Sequence, residues 1–181
     1  MPENGVLATK PANLTYKEAA AIPFGGTTAL SFLRKGKIQH GQRVLIYGAS
    51  GAVGTSAVQL AKHFGAEVTA VCSTRNLDMM KSLGADKVVD YTKEDFSQVG
   101  DCYDIILDTV GKSPFSTCVK SLKSDGYYVR VVYMTLSAIF RGLWVSMTTT
   151  KKVIGGGISE TAEDLIFLKK LIEGWTTEAG Y

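Results

Sequence analysis

The stretch VLIYGASGAVGTSAVQLAKHFGAEVTAVCSTRN, Val44 to Asn76, decides how the rest of the chain is read. A short apolar run, Val44 to Tyr47, ends at Gly48. A small-residue segment with helical spacing follows from Gly51 to Phe64, and a second apolar run occupies Val68 to Val71. That succession predicts strand, helix, strand. Gly48, Gly51 and Gly54 stand at the first junction. Gly48 lets the chain reverse sharply, Gly51 leaves no Cβ between the backbone and an approaching anion, and Gly54 lets the helix pack closely on the sheet. The unpaired N–H groups of the first helical turn, backed by the positive end of the helix dipole, suit a diphosphate. The spacing is wider than G-x-G-x-x-G, so the flanking strand and helix carry the dinucleotide-binding reading against a turn that merely reverses the chain. No glycine-lysine pair stands at the offset a P-loop requires.

Further strand signals fall at Val88–Val89, Ile105–Leu107, Val129–Tyr133 and Val153–Ile154, with helical signals at Leu77–Leu83, Phe115–Leu122 and Ala162–Glu173. Gly65-Ala66 and Gly84-Ala85 end two of the helices, where glycine takes the left-handed conformation. This alternation predicts an α/β fold of the Rossmann type, a doubly wound, six-stranded parallel sheet with helices on both faces. Upstream, Thr15 with Glu18 predicts a helix start, a stop near Pro23, and a second helix from about Thr27. Residues 1–26 are therefore expected to be a connector, 27–174 the Rossmann domain, and 175–181 a tail. The segment Thr135 to Thr150 carries Phe140, Leu143, Trp144 and Met147 at helical spacing. It predicts a core-facing amphipathic helix, or alternatively a surface for another domain or subunit. The strand at Val153, followed by Gly155-Gly156-Gly157, is expected at the sheet edge, where it can pair with its copy in a homodimer.

With 181 residues the chain can build one good core, and 45% hydrophobic with 20% charged residues marks an ordinary globular domain. The net charge of +3 is scattered, which argues against a nucleic-acid partner. No apolar segment is long and clean enough to predict a membrane span, and no targeting segment is visible. Cys72, Cys102 and Cys118 are odd in number and far apart, so they read as reduced thiols of a cytoplasmic protein, without a disulfide framework or a zinc site.

The residue closing the second strand faces the adenosine ribose, and an NAD site wants an acid there. This strand instead runs into Ser73-Thr74-Arg75-Asn76, with no acid before Asp78. Ser73 and Arg75 suit a 2′-phosphate, so NADPH is expected over NADH, the plain alternative for Arg75 being a solvated residue at a helix start. Tyr91, after the third strand, reads either as a contact at the adenine end or as an exposed turn tyrosine. Asp108 is expected to satisfy turn amides and not to act as a base. His40 and His63 are isolated and take no role.

The segments AAAIPFGGTTAL (19–30), VLIYGASGAVGTSAVQLAK (44–62), SLGADKVVDYTKEDF (82–96), YDIILDTVG (103–111) and EDLIFLKKLIEG (163–174) resemble the medium-chain dehydrogenase/reductase superfamily, in particular its zinc-independent quinone oxidoreductases and the proteins labelled zinc-type alcohol dehydrogenases. The resemblance extends over most of the chain and implies the cofactor-binding domain. It implies Ser50, Gly51, Ala52 and Val53 at the diphosphate, Ser73, Arg75 and Tyr91 around the 2′-phosphate, Val110 along the adenosine, and Thr28 near the nicotinamide side. It implies hydride transfer between NADPH and a small-molecule quinone, enone or carbonyl compound. The GroES-like catalytic domain of such proteins is absent from these segments, so no catalytic residue and no zinc ligand is assigned, and the isolated chain is expected to turn over poorly. A non-catalytic dinucleotide sensor or interaction module is the alternative. Val131-Val132-Tyr133 departs from the family, which often carries a glycine there, and Trp175 to Tyr181 does not match it.

Overall fold

A computed structural model describes residues 6–96, 102–132, 136–158 and 160–178. Among them, six strands form one sheet: β1 (Arg43–Tyr47), β2 (Glu67–Cys72), β3 (Lys87–Asp90), β4 (Tyr103–Asp108), β5 (Leu122–Arg130) and β6 (Lys152–Ile154). Every neighbouring pair is parallel, in the order β3-β2-β1-β4-β5-β6. The direction of winding reverses at β1 and β4, which leaves a crevice at their carboxyl ends.

Alternate residues of each strand feed two cores. Val44 and Ile46 of β1 join Val68, Ala70, Ile105, Leu107 and Val129 on one face. Leu45 joins Val71, Ile106 and Tyr128 on the other. Both faces are therefore apolar, as a sheet covered on two sides requires. The first face is covered by α2 (Thr28–Lys35), α3 (Ala52–His63), α4 (Leu77–Ser82) and α7 (Ala162–Glu178), which contribute Leu30, Ala57, Met80 and Leu168 to it. The second is covered by α5 (Phe115–Lys120), through Cys118 and Phe115.

Four sequence expectations need correcting. The helix that opens the chain, α1 (Tyr16–Ile22), does start on a capping box, with Thr15 N–H donating to Glu18 Oε2 at 2.8 Å and Glu18 N–H to Thr15 Oγ1 at 3.3 Å. Its α-helical segment does end before Pro23, but the chain does not leave the helical path there as expected. The helical path continues through a π turn, Pro23–Thr27, directly into α2, because the wider turn accommodates a proline ring that an unbroken α-helix would reject. Second, β5 lies earlier than expected, starting at Leu122 and ending at Arg130, so α5 ends at Lys120; Tyr133 lies outside the described residues. Third, α7 runs on to Glu178, past the expected end at Glu173.

Fourth, the helix predicted between Thr135 and Thr150 forms as α6 (Leu136–Thr148), but its bulky stripe does not face the core. Leu143, Trp144 and Met147 are 55%, 71% and 85% exposed; the Phe140 side chain lies outside the described residues. The packed face is the small one. A Cβ on Gly142 would approach Val153 Cγ1 to 2.8 Å, and Ser146 Oγ accepts a hydrogen bond from Val153 N–H at 2.9 Å. Close approach to β6 selects the face without bulk. β6 itself is the sheet edge.

Candidate functional site

The turns that follow β1, β2 and β4 open onto one cleft of about 680 Å³. The glycine turn builds its centre. Gly48 has φ +80°, and a Cβ there would lie 2.2 Å from Val110 Cγ2. A Cβ on Gly54 would lie 2.4 Å from the Gly48 carbonyl oxygen, so the start of α3 sits hard against the turn. At Gly51 the space is open, the nearest atom to such a Cβ being Gly48 O at 3.6 Å. Gly48 and Ala49 N–H both donate to Val71 O, at 3.1 and 3.0 Å, tying the turn to β2. Gly51 caps α3 without any side-chain hydrogen bond, and although its own N–H donates to Gly48 O at 3.2 Å, the Ala52 and Val53 amides of the first turn are left as donors for a ligand. An anion-binding mouth with room at Gly51 fits a diphosphate.

The structure brings Ser50, Gly51, Ala52, Val53, Ser73, Arg75, Tyr91 and Val110 together around this cleft. Thr28 is not among the lining residues. It is buried in the first turn of α2, and its Oγ1 has no hydrogen-bond partner among the described residues. At the end of β2, Asn76 Nδ2 donates to Ser73 Oγ at 3.2 Å, which leaves the Ser73 O–H available as a donor. Arg75 is exposed and has neither ion pair nor hydrogen bond to the described residues, and the same holds for Lys112. No described Asp or Glu lines the cleft. Its electrostatics are therefore cationic, with Arg75 following β2 and Lys112 following β4.

Two buried carboxylates hold the walls in place from behind. Asp90 accepts from Thr74 Oγ1, from Thr92 Oγ1 at 2.7 Å and from Thr92 N–H at 3.0 Å. These bonds, led by Thr74, hold its carboxyl below the ordinary range and fasten the segment bearing Arg75 to the one bearing Tyr91. Tyr91 is 54% exposed and leans on Tyr47 with ring centroids 6.5 Å apart. Asp108, fully buried, accepts from Val110 N–H at 3.0 Å, Gly111 N–H at 2.7 Å, Tyr128 OH at 3.2 Å and the Ser113 hydroxyl. Arg130 Nε stands 3.9 Å from the same carboxylate. Asp108 thus satisfies turn amides, as expected, and sets the position of Val110 over Gly48. Beneath it, burial pushes the Cys118 thiol up to about 11 against the lowering effect of its Ser113 hydrogen bond, so this sulfur stays protonated and inert. Burial likewise drives the Tyr128 phenol far above its ordinary value, which keeps it a neutral donor.

The profile of a family described as zinc-binding dehydrogenase matches residues 52–170. The 2-methylene-furan-3-one reductase of Solanum lycopersicum is 43% identical over 129 residues, covering 70% of this chain and 33% of that protein. The chloroplastic NADPH-dependent alkenal/one oxidoreductase of Arabidopsis thaliana is 38% identical over 129 residues, again 70% of this chain and 33% of that protein. The structure of the quinone oxidoreductase from Coxiella burnetii matches with a TM-score of 0.83 and 31% identity, over 92% of this chain and 52% of that one. The chain belongs to the zinc-binding dehydrogenase family, within the medium-chain dehydrogenase/reductase superfamily. It spans about a third of the length of these curated relatives and about half of the solved one.

Among the described residues of this zinc-binding dehydrogenase domain, no group of three or more His, Cys, Asp or Glu could hold a metal ion. No helix among the described residues is long and apolar enough to cross a membrane. Phe24, Tyr47, Asn76 and Lys112 also line the cleft of this dehydrogenase domain, and sequence reasoning assigned none of them a role. Lys112 had a signal, being one residue beyond the Thr109-Val110-Gly111 turn. Phe24 had none, because its place depends on the helix running through Pro23.

Proposed function

We propose that this oxidoreductase domain binds NADP(H), NADPH in preference to NADH, as part of a protein that moves hydride between the cofactor and a quinone, enone or carbonyl compound. The observation that carries the reading is a cleft at the sheet's switch point with a helix mouth that no side chain caps, two cations without a partner among the described residues, and no described carboxylate. An acid at the end of β2 would repel a 2′-phosphate, and none lines the cleft. The names of the tomato and Arabidopsis relatives, both reductases and one NADPH-dependent, support the substrate class.

When bound, the nicotinamide ring supplies or takes the hydride. The residues of this chain bind and orient. The amides of Ser50, Ala52 and Val53 would hold the diphosphate, and Gly51, whose own N–H donates to Gly48 O at 3.2 Å, would leave the room for it. Ser73, Arg75 and Tyr91 would hold the 2′-phosphate, and Val110 would lie along the adenosine. The buried hydroxyl of Thr28 would stand behind the nicotinamide side. We expect the chain alone to bind the cofactor but turn over slowly, since half of the water-excluding cleft of a reductase comes from its substrate-binding domain. Free cysteines, two of them buried, support a reducing compartment such as the cytoplasm. The bare edge at β6 beside the exposed stripe of α6 supports a homodimer built across that edge.

Calorimetric titration of the chain with NADPH and NADH tests the cofactor. NADPH should bind at least roughly tenfold more tightly, and Arg75→Ala should erase most of that margin, as expected for a charge-assisted phosphate contact. Equal affinities, or an unaffected Arg75→Ala variant, would remove the basis for NADPH.

A further inference from the structure

Phe24 is 68% exposed, stands on the π turn, and lines the same cleft as Arg75. Its position along the crest of the sheet follows from packing. The π turn closes against the first residue of α3, since a Cβ on Gly25 would lie 2.7 Å from Ala52 O. From there α2 runs down the face over β4 and β5, its C-cap Gly36 lying against Ile105 and Val129. Arg75 follows β2, on the other side of β1. The glycine turn and the mouth of α3 therefore stand between Arg75 and Phe24. A doubly wound sheet holds the two halves of a dinucleotide across its switch point. With the adenosine ribose at Arg75 and the diphosphate at α3, the second nucleotide extends toward β4, β5 and Phe24.

We propose that Phe24 positions the nicotinamide end, forming the apolar wall against which the ring and the apolar body of the hydride acceptor lie. The proposal rests on the NADPH reading above. The turn that bears Phe24 is clamped: besides the Gly25 contact, a Cβ on Gly26 would lie 2.9 Å from Leu168 Cδ1. An aromatic side chain on an anchored backbone offers an apolar face that excludes water and limits the orientations open to the ring. π turns recur at functional sites for the same reason, since they re-aim a side chain within a helix.

Calorimetry with two ligands tests this, one NADPH and the other 2′-phospho-ADP-ribose, which lacks the nicotinamide. Phe24→Ala should weaken NADPH on the order of fivefold to tenfold and leave the fragment unchanged. Phe24→Leu should recover most of the loss, while Arg75→Ala should weaken both ligands. Because Phe24 is exposed, both Phe24 variants should melt with the parent chain. No loss for NADPH, or equal losses for the two ligands, would overturn the role of Phe24 and leave the cofactor reading standing. If the parent chain bound neither ligand, the cofactor reading and this proposal would fall together.

Discussion

At the scale of single residues, the cleft is shaped more by what glycine omits than by what side chains add. Gly48 is the clearest case. Its φ of +80° is one that residues with a Cβ rarely adopt, and the Cβ would strike Val110 Cγ2 at 2.2 Å. Val110 cannot easily retreat, because Asp108 holds its amide and Thr109 Oγ1 donates to Tyr47 O at 2.9 Å and Gly48 O at 3.1 Å. Gly48→Ala should therefore destabilise the chain by about 2–4 kcal/mol, the sum of left-handed strain and overpacking. Denaturant titration measures this, and an unchanged midpoint would show that the turn relaxes freely. Gly48, Gly51 and Gly54 were legible from their spacing, because each does a backbone job tied to its place between strand and helix. Asp90 was not, since its role depends on Thr74 and Thr92 meeting it from two separate turns.

At the scale of elements, Asp86 shows how one carboxylate fastens three of them. It accepts from Lys62 Nζ of α3 at 2.8 Å and from Val68 N–H of β2 at 2.7 Å, and it directly precedes β3. Partial burial would raise its pKa, but the bonds from Lys62 and Val68 outweigh that and hold it below the ordinary value. A carboxyl whose folded pKa is depressed contributes stability above its unfolded pKa and loses it as pH falls through the folded one. Asp86→Asn should thus lower stability by roughly 1 kcal/mol at neutral pH, with the difference from the parent shrinking as pH drops below about 4. Denaturation midpoints at several pH values would decide it; a difference independent of pH would discard the charge as the cause. The elements themselves were largely legible, β1 to β4 and α3 by period alone. β5 was misplaced because Lys123, Ser124 and Asp125 interrupt its apolar pattern and φ is +63° at Asp125, although Leu122 already pairs with Tyr103.

At the scale of the whole molecule, the two ends of the described sheet differ. β3 leads into the turn that bears Tyr91 at the cleft, whereas β6, at the other edge, is packed by the small face of α6, whose Trp144 and Met147 are exposed. A two-fold axis along that edge would join two sheets and cover the apolar stripe of α6. Sedimentation at micromolar protein should give the mass of a dimer, and Trp144→Glu should shift it toward the monomer. A monomeric parent chain would end the proposal. The orientation of α6 was the part least open to sequence reasoning, because a helix with both a bulky and a small stripe can pack by either, and only the nearness of β6 selected the small one.

Local physics alone determined the alternation of strand and helix, the parallel sheet it requires, and the amide mouth at α3. Each of these follows from periodicity and from glycines acting on their own backbone. Tertiary structure decided which side chains reach that mouth: the helical path through Pro23 that delivers Phe24, the cations at Arg75 and Lys112 on opposite sides of β1, and the buried carboxylates that fasten the turns beside those cations. Those arrangements join residues far apart in the chain, and no pattern within one segment encodes a distance between two.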